Sequence, residues 1–377
     1  MLVMIFVNDL GGVKGLPWWT YHLPAKVDGM TYVDWVFPGF LFAVGMSLPL
    51  AVARRLQKGA SAGSIWFHIV TRSLSLAVLG LILANASKLD PGLAGISAKT
   101  WILSALLGAF LLWGVYPGTR NSPRLRGGLK IAGLVLIAGA MALFRRKGND
   151  GNPAWLDVSY WEILGLIGWS YLAVCLLYIP MRKLRWAPAA LLVLFCGMTV
   201  CAKLGWLTWL RHLPIYLWPF GTGALPSIIA AGAVVAGIFL SPGKERTFKE
   251  KVLRSLGFTA IVFLAGWLLT PLGISKIRAT PTWCLYSSGI STLLFLALYW
   301  LADIRRWTGW AWSIEPAGSN TLMTYLLPDV FYFVVGFSYV PAYFSEGLPG
   351  AARSLAFTCF ILVCSAVLTK LKFRLQL

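Results

Sequence analysis

The chain has 377 residues, of which 58% are hydrophobic and only 12% are charged, whereas soluble domains carry about 25% charged residues. So few charged side chains cannot cover that much apolar surface in water, which excludes a large soluble domain. The 33 Lys and Arg exceed the 13 Asp and Glu by 20. Because these basic residues lie in short clusters between apolar runs, they indicate membrane topology and contact with anionic lipids, not nucleic-acid binding.

Apolar stretches follow one another along the whole chain, and a membrane-spanning helix needs about 20 such residues. They fall at about 1–10, 31–53, 65–87, 100–117, 130–144, 160–181, 186–203, 223–241, 255–273, 283–302, 318–340 and 351–369. The first is too short to span and predicts an incomplete helix. The sequence therefore predicts an all-α polytopic membrane helix bundle with about 11–12 transmembrane helices. No long Pro- or Ser-rich linker interrupts the series, so residues 1–377 are predicted to form one domain.

The basic residues also predict an orientation. With the N-terminus inside, the inner connections hold 20 Lys and Arg and the outer ones hold 12. This bias predicts that both termini are cytoplasmic. The six cysteines lie mostly inside apolar runs without a CxxC pair, so the sequence predicts neither a disulfide framework nor a metal site.

Ionisable groups at membrane depth are costly and are candidates for function. The richest group lies before and within the second stretch and comprises Asn8, Asp9, His22, Asp28 and Asp34. His22 is a candidate general base with a carboxylate to fix its tautomer; the alternative is an interfacial His that only bonds a backbone carbonyl. Asp34 opens the second stretch, where a carboxylate also suits a helix N-terminus.

Further candidates lie inside later stretches. Arg72, about one turn inside the third stretch and near its inner end, is suited to hold a phosphate with two parallel hydrogen bonds, or to reach lipid headgroups. His68 lies four residues earlier on the same face. Lys276 leads into the tenth stretch from outside. Asn320 lies in the eleventh stretch. A polar side chain inside a membrane helix often serves only to bond that helix to a neighbouring one.

Several of these residues lie in runs that resemble the heparan-α-glucosaminide N-acetyltransferase family, and its bacterial branch in particular. The runs are Phe6-Val7-Asn8, Gly11-Gly12, His22, residues 28–42, Arg72-Ser73-Leu74, residues 161–165, Tyr171-Leu172, residues 276–283 and residues 318–325. The most specific is the block from Asp34 to Phe42, which reads Asp-x-Val-Phe-Pro-x-Phe-x-Phe. The resemblance covers nearly the whole chain.

This resemblance implies a membrane-bound acetyltransferase that moves an acetyl group from cytosolic acetyl-CoA to a glucosamine-type amine on the outer face. It implies that His22 is the catalytic histidine with Asn8 beside it, and we expect Asp34 to orient the imidazole. Direct transfer and an acetyl-histidine intermediate both remain open. Coenzyme A contacts are predicted for Arg72 and His68, and substrate contacts for Asp9, Asp28, Lys276 and Asn320.

The predicted setting is a bacterial inner membrane, with an amino-sugar acceptor, membrane lipids and a second copy of the chain as partners. A secondary transporter for an amino sugar or its derivative is the alternative function. Polar groups near the middle of a polytopic helix bundle are typical of transporters as well.

Overall fold

The computed structural model describes residues 1–116, 122–212, 217, 220–240, 246–336 and 341–377. The helices are α1 (Leu2–Leu10), α2 (Tyr32–Gln57), α3 (Ala62–Asn85), α4 (Pro91–Ala94), α5 (Ala98–Trp113), α6 (Pro123–Leu143), α7 (Glu162–Met181), α8 (Ala187–Lys203), α9 (Ala224–Phe239), α10 (Phe248–Leu268), α11 (Pro281–Tyr299), α12 (Glu315–Ser319), α13 (Thr321–Val334) and α14 (Gly347–Lys370). Two antiparallel strand pairs join β1 (Gly114–Val115) to β4 (Arg374–Leu375), and β2 (Arg146–Lys147) to β3 (Pro153–Ala154).

Every predicted apolar stretch contains a helix, so the predicted helical membrane bundle is confirmed. Within the described ranges, seven helices are long and apolar enough to cross a membrane: α2, α3, α6, α7, α10, α11 with the π-helical turn that follows it, and α14. The helices α5, α8, α9 and α13 are apolar but shorter, with 10–17 residues each. The chain is an integral membrane protein.

Several helices begin earlier than their apolar stretches. Helix α10 starts at Phe248 because Thr247 and Glu250 form a capping box that satisfies its first backbone N–H groups. Helix α6 starts at Pro123, and proline is favoured at the first helical position. The eleventh stretch is divided at Asn320 into α12 and α13.

The contacts group the chain into two compact units. The first unit comprises Met1–Trp18, Val78–Glu162 and Gly309–Leu377, and the second comprises Trp19–Ala77 and Ile163–Thr308. The absence of long linkers predicts a single domain over residues 1–377, and that assignment stays a prediction.

In the first unit, α14 packs against α1 and α13, and α5 packs against α6 and α13. Ile5, Phe357 and Ile361 form a buried cluster, with Phe331 and Tyr332 packed against it. The β1–β4 pairing fastens the segment that follows α14 to the end of α5. This unit therefore has an apolar centre built by α1, α13 and α14.

In the second unit, α9 packs against α2, α8 and α11, and α11 packs against α2 and α10. Two glycines on facing helices allow α2 and α9 to approach closely. A Cβ atom added at Gly45 would overlap the carbonyl of Ile229, and one added at Gly232 would overlap the carbonyl of Phe42. Helices α2 and α9 therefore meet backbone to backbone, as small residues allow in membrane bundles.

Candidate active site

The N-terminus of α2 organises the site in the second unit. Asp34 accepts a hydrogen bond from the backbone N–H of Thr31 through Oδ2 (3.1 Å), which closes a capping box on the helix. The Thr31 hydroxyl donates to the carbonyl of Tyr21 (2.9 Å). These bonds fold residues 21–31 back onto the start of α2, and that segment carries His22.

Asp34 also holds the imidazole of His22. Nδ1 of His22 donates to Oδ1 of Asp34 at 2.7 Å, and the aspartate side chain is 1% exposed whereas the histidine is 44% exposed. The predicted partnership of His22 with a nearby carboxylate is therefore present. A carboxylate on Nδ1 fixes the tautomer, so that Nε2 carries a lone pair.

Lys276 faces that lone pair. Its Nζ lies 3.0 Å from Nε2 of His22 and 3.3 Å from Nδ1. Burial disfavours the charged ammonium and lowers the pKa of Lys276 to about 8, an effect partly offset by the negative charge of Asp34. The site is therefore a row of three groups: the carboxylate of Asp34, the imidazole of His22 and the easily deprotonated amine of Lys276.

The loop carrying Lys276 is tied to the loop carrying His22 by Asp28. Its Oδ1 accepts a hydrogen bond from the backbone N–H of Ile274, and the N–H of Gly29 donates to the carbonyl of Ile274 (2.9 Å). The Arg278 guanidinium lies 3.8 Å from the same Asp28 oxygen. Asp28 thus places Lys276 against His22, while its predicted substrate contact stays a prediction.

This arrangement supplies the elements of acyl or proton transfer. A neutral imidazole held on Nδ1 can accept a proton at Nε2. An ammonium beside it can stabilise negative charge that develops on a neighbouring oxygen.

Arg72 lies deeper in its helix than predicted. Because α3 begins at Ala62, Arg72 is nearly three turns, and not one turn, from the helix start. Its guanidinium stacks over the ring of Tyr171, 5.4 Å from the centroid. Arg55 and Arg72 both lie within electrostatic range of His68, so two cations accompany this second predicted coenzyme A ligand. Among the described residues, no Asp or Glu forms an ion pair with Arg72.

The remaining predicted residues belong to the first unit. Asn8 is exposed on α1, and Asp9 is buried in an ion pair with Arg353 (3.1 Å) and accepts a hydrogen bond from the Tyr332 hydroxyl (2.6 Å). Asn320 is buried, donates to the carbonyl of Phe373 (2.9 Å) and accepts from the N–H of Leu375 (3.2 Å), which joins the end of α12 to the chain after α14. The predicted catalytic and substrate roles of these residues stay predictions.

Two supporting residues were absent from the sequence-based set. Thr31 stands three residues before Asp34, a spacing that signals a capping box in the sequence itself. Trp283 is 1% exposed and donates its indole N–H to the backbone carbonyl of Asp34 (3.1 Å). Nothing in the sequence signals that contact, because 249 residues separate the two.

Comparison with known proteins adds a family. The chain is similar to human heparan-alpha-glucosaminide N-acetyltransferase, with 36% identity over 85 residues, and to the mouse protein of the same name at the same identity and length. Each match covers 22% of this chain and only 12% of the relative. A family model described as a domain of unknown function, DUF5009, matches residues 2–218, more than half of the chain. The chain therefore belongs to the DUF5009 family.

Proposed function

We propose that this protein is a transmembrane N-acetyltransferase that moves an acetyl group from acetyl-CoA to the amine of an amino sugar. The observation that carries the proposal is the geometry of His22. Its Nδ1 is fixed by Asp34, and its Nε2 lies 3.0 Å from Nζ of Lys276. The partial similarity to two N-acetyltransferases of glucosaminides supports the class of reaction.

In the proposed reaction, the acceptor nitrogen attacks the thioester carbonyl carbon and Nε2 of His22 takes the amine proton. The carbonyl becomes a tetrahedral oxyanion, which then collapses as the carbon–sulfur bond breaks. The proton on His22 passes to the departing thiolate. Asp34 keeps its negative charge throughout and stabilises the imidazolium that forms between the two steps.

Lys276 has two roles in this proposal. In the structure its ammonium occupies the hydrogen-bonding position on Nε2 that the acceptor amine must take. Displaced by the amine, it remains beside the reacting carbon as a donor to the oxyanion. Removing one such donor typically lowers kcat by about 100- to 1,000-fold.

The donor is proposed to bind near Arg72. The Arg72 guanidinium stacks on Tyr171 and, among the described residues, forms no ion pair with a carboxylate, so it suits the phosphates of coenzyme A. Residues 58–61 connect α2 to α3, and we propose that the two helices cross the membrane in opposite directions. With about 1.5 Å per residue counted back from that connection, this arrangement would separate Arg72 and Asp34 by about 20 Å along the helix axes. An extended cofactor arm is the group that bridges such a distance within a hydrocarbon core about 30 Å thick.

The test is acetyl transfer by the purified full chain with labelled acetyl-CoA and glucosamine. We expect His22→Ala to lose the transfer, because the variant lacks the imidazole Nε2 that takes the amine proton. The matched control is His212→Ala, since His212 is an exposed histidine on a short 3-10 helix. Turnover of the His22 variant at the rate of the control would remove His22 from the mechanism.

We propose further that the protein lies in a bacterial inner membrane, with both termini cytoplasmic. Proteoliposomes with acetyl-CoA supplied on one side and glucosamine on the other test this sidedness. Product is expected only when the cofactor is on the side of the termini, which protease accessibility of a terminal tag identifies. Equal product in both arrangements would contradict transfer across the membrane.

A further inference from the structure

Lys276 holds the position of an acceptor amine at the candidate active site. Its Nζ lies 3.0 Å from Nε2 and 3.3 Å from Nδ1 of His22. An amine at this distance from a neutral imidazole is within hydrogen-bond reach of a general base. The proposed acceptor must make the same contact with Nε2. The protein therefore carries an amine of its own where the amine of the substrate has to bind.

The turn that carries Lys276 has a fixed backbone. The N–H of Ser275 donates to the hydroxyl of Thr280 (3.0 Å), and the N–H of Thr280 donates to the carbonyl of Ser275 (3.1 Å). Both residues are buried, at 3% and 1% exposure. Within this turn the N–H of Ala279 donates to the carbonyl of Lys276 (3.0 Å). An amine held in place beside its base has a large advantage over one that arrives by diffusion.

The Lys276 amine is not held by an ion pair. In the ranges that the structure describes, no Asp or Glu forms one with it. Asp34, whose charge acts on it, is bonded to His22 instead (2.7 Å). Burial lowers the pKa of Lys276 to about 8, so a large share of the side chain is neutral in mildly alkaline solution. When a neutral amine donates one hydrogen to Nε2, its lone pair points away from the imidazole and can attack carbon.

We infer that Lys276 is itself acetylated by acetyl-CoA when no amino sugar occupies the site. The inference rests on the proposed use of acetyl-CoA and adds a second acceptor, which belongs to the protein. Nζ attacks the thioester carbonyl carbon, and Nε2 of His22 takes one proton from the attacking nitrogen. The carbon–sulfur bond breaks, and the proton passes from His22 to the departing thiolate. The products are Lys276 acetylated on Nζ and free coenzyme A.

Acetylation of Lys276 stops the proposed transfer to the sugar. An amide nitrogen carries no positive charge, so the oxyanion loses the ammonium that stabilises it. The acetyl group also fills the space beside Nε2 that the acceptor amine needs. Because an amide is a far poorer acyl donor than a thioester, the acetyl group stays on Lys276 and is not passed on. The protein therefore inactivates itself when acetyl-CoA is present without an acceptor.

The test is incubation of the detergent-solubilised full chain with isotope-labelled acetyl-CoA and no acceptor, followed by mass spectrometry of its peptides. We expect Lys276 to gain the label at least tenfold faster than Lys26 and Lys203. Lys26 is an exposed lysine on the His22 segment. Lys203 is the closer match, because its Nζ also reaches this turn but donates to the backbone carbonyl of Arg278 and not to an imidazole. Glucosamine should slow the labelling of Lys276 and leave that of Lys26 unchanged.

A variant separates base catalysis from the simple reactivity of an amine. His22→Ala should lower the labelling of Lys276 at least tenfold, whereas His212→Ala should leave it unchanged. If His22→Ala does not fold, the comparison of Lys276 with Lys203 and the protection by glucosamine still decide within the wild-type chain. Labelling of Lys276 no faster than that of Lys203, or equally fast in both histidine variants, would overturn the inference.

The same reactions distinguish this inference from the proposed function. Acetylated glucosamine formed without any label on Lys276 would contradict the inference alone. Label on Lys276 that depends on His22, without acetylation of any amino sugar supplied, would uphold the inference and contradict the proposed acceptor.

Discussion

The indole N–H of Trp283 donates a hydrogen bond to the backbone carbonyl of Asp34 at 3.1 Å. This bond fixes the first turn of α2 against α11, and Asp34 in turn holds His22. The candidate catalytic row therefore depends on a tryptophan whose indole hydrogen bond goes to the backbone of Asp34 and not to the imidazole. This dependence can be separated from simple packing, because the same two helices share a second, independent indole bond.

Trp283→Phe is expected to lower the transfer rate several-fold and to cost about 1 kcal/mol of stability, the net value of one hydrogen bond. The matched control is Trp35→Phe. Trp35 also joins α2 to α11, but it donates to the hydroxyl of Ser291 (2.9 Å). We expect a similar loss of stability in the control with the transfer rate unchanged. Equal rates in the two variants would show that the bond to Asp34 only supports the fold.

Asp34→Asn should lower kcat by at least about 100-fold, because an amide cannot fix the imidazole tautomer or stabilise its positive charge. Part of any effect will come from the cap on α2. Glu250→Gln is the matched control, since Glu250 occupies the same capping-box position on α10. Steady-state kinetics of both variants, with their melting temperatures, separate capping from catalysis. A similar loss of activity in the Glu250 variant would point to helix stability alone.

The transfer rate should fall as pH rises through about 8, because burial lowers the pKa of Lys276 to that value and the ammonium is lost above it. Below pH 8 the charged form is present and can stabilise the oxyanion. Lys276→Arg keeps its charge at every accessible pH, so the alkaline fall should move to higher pH. Lys26→Arg, an exposed change on the His22 segment, should keep the original profile. An alkaline limb shared by all three proteins would exclude Lys276 as its origin.

Arg72→Ala should weaken acetyl-CoA binding by roughly 1.5–3 kcal/mol, the range for hydrogen bonds to charged groups. Arg72→Lys should recover only part of this, because an ammonium lacks the planar face that stacks on Tyr171. Arg305→Lys serves as the control, since Arg305 stacks on Trp300 in the same way (5.1 Å) but lies in the segment after α11. Calorimetric titration with acetyl-CoA gives the affinities. Unchanged affinity in both Arg72 variants would leave that arginine with a lipid-facing role.

Gly45→Ala should destabilise the protein by about 1–3 kcal/mol or more, because the added methyl group overlaps the carbonyl of Ile229 and the backbone must shift. Gly237→Ala makes the same change on α9, where the methyl group meets no atom within 4 Å. It should be neutral or stabilising by up to about 1 kcal/mol. Thermal unfolding in detergent measures both, and similar melting temperatures would contradict the close helix contact.

Hydropathy predicted the helices well because lipid demands apolar runs of fixed length, but it misplaced their polar ends. Residues 248–254 belong to α10 but precede its predicted apolar stretch. They include charged side chains, and the capping box is what allows the helix to begin there. In the same way, α3 begins at Ala62, before its predicted apolar stretch. Helix termini are decided by local hydrogen bonds, which an apolar count does not register.

The candidate site was predicted only where its members are near in sequence. His22 had three carboxylates close by, and the fold selects Asp34 because Asp28 is occupied by the backbone of Ile274. The contact with Lys276 joins residues 254 positions apart, and tertiary packing alone decides it.

The backbone contact between α2 and α9 limits how the second unit can open. Interdigitated side chains can change rotamer and let helices slide, but Gly45 and Gly232 leave no side-chain layer between their helices. The two helices must therefore move together as one rigid body, and Asp34 moves with them. An opening that admits a bulky acceptor to His22 therefore requires movement of two loops, residues 21–31 and residues 273–280. The two loops are joined by the hydrogen bond from the N–H of Ile274 to Asp28. Breaking the hydrogen bond between Asp28 and Ile274 would therefore weaken the hold of each loop on the other and favour that opening.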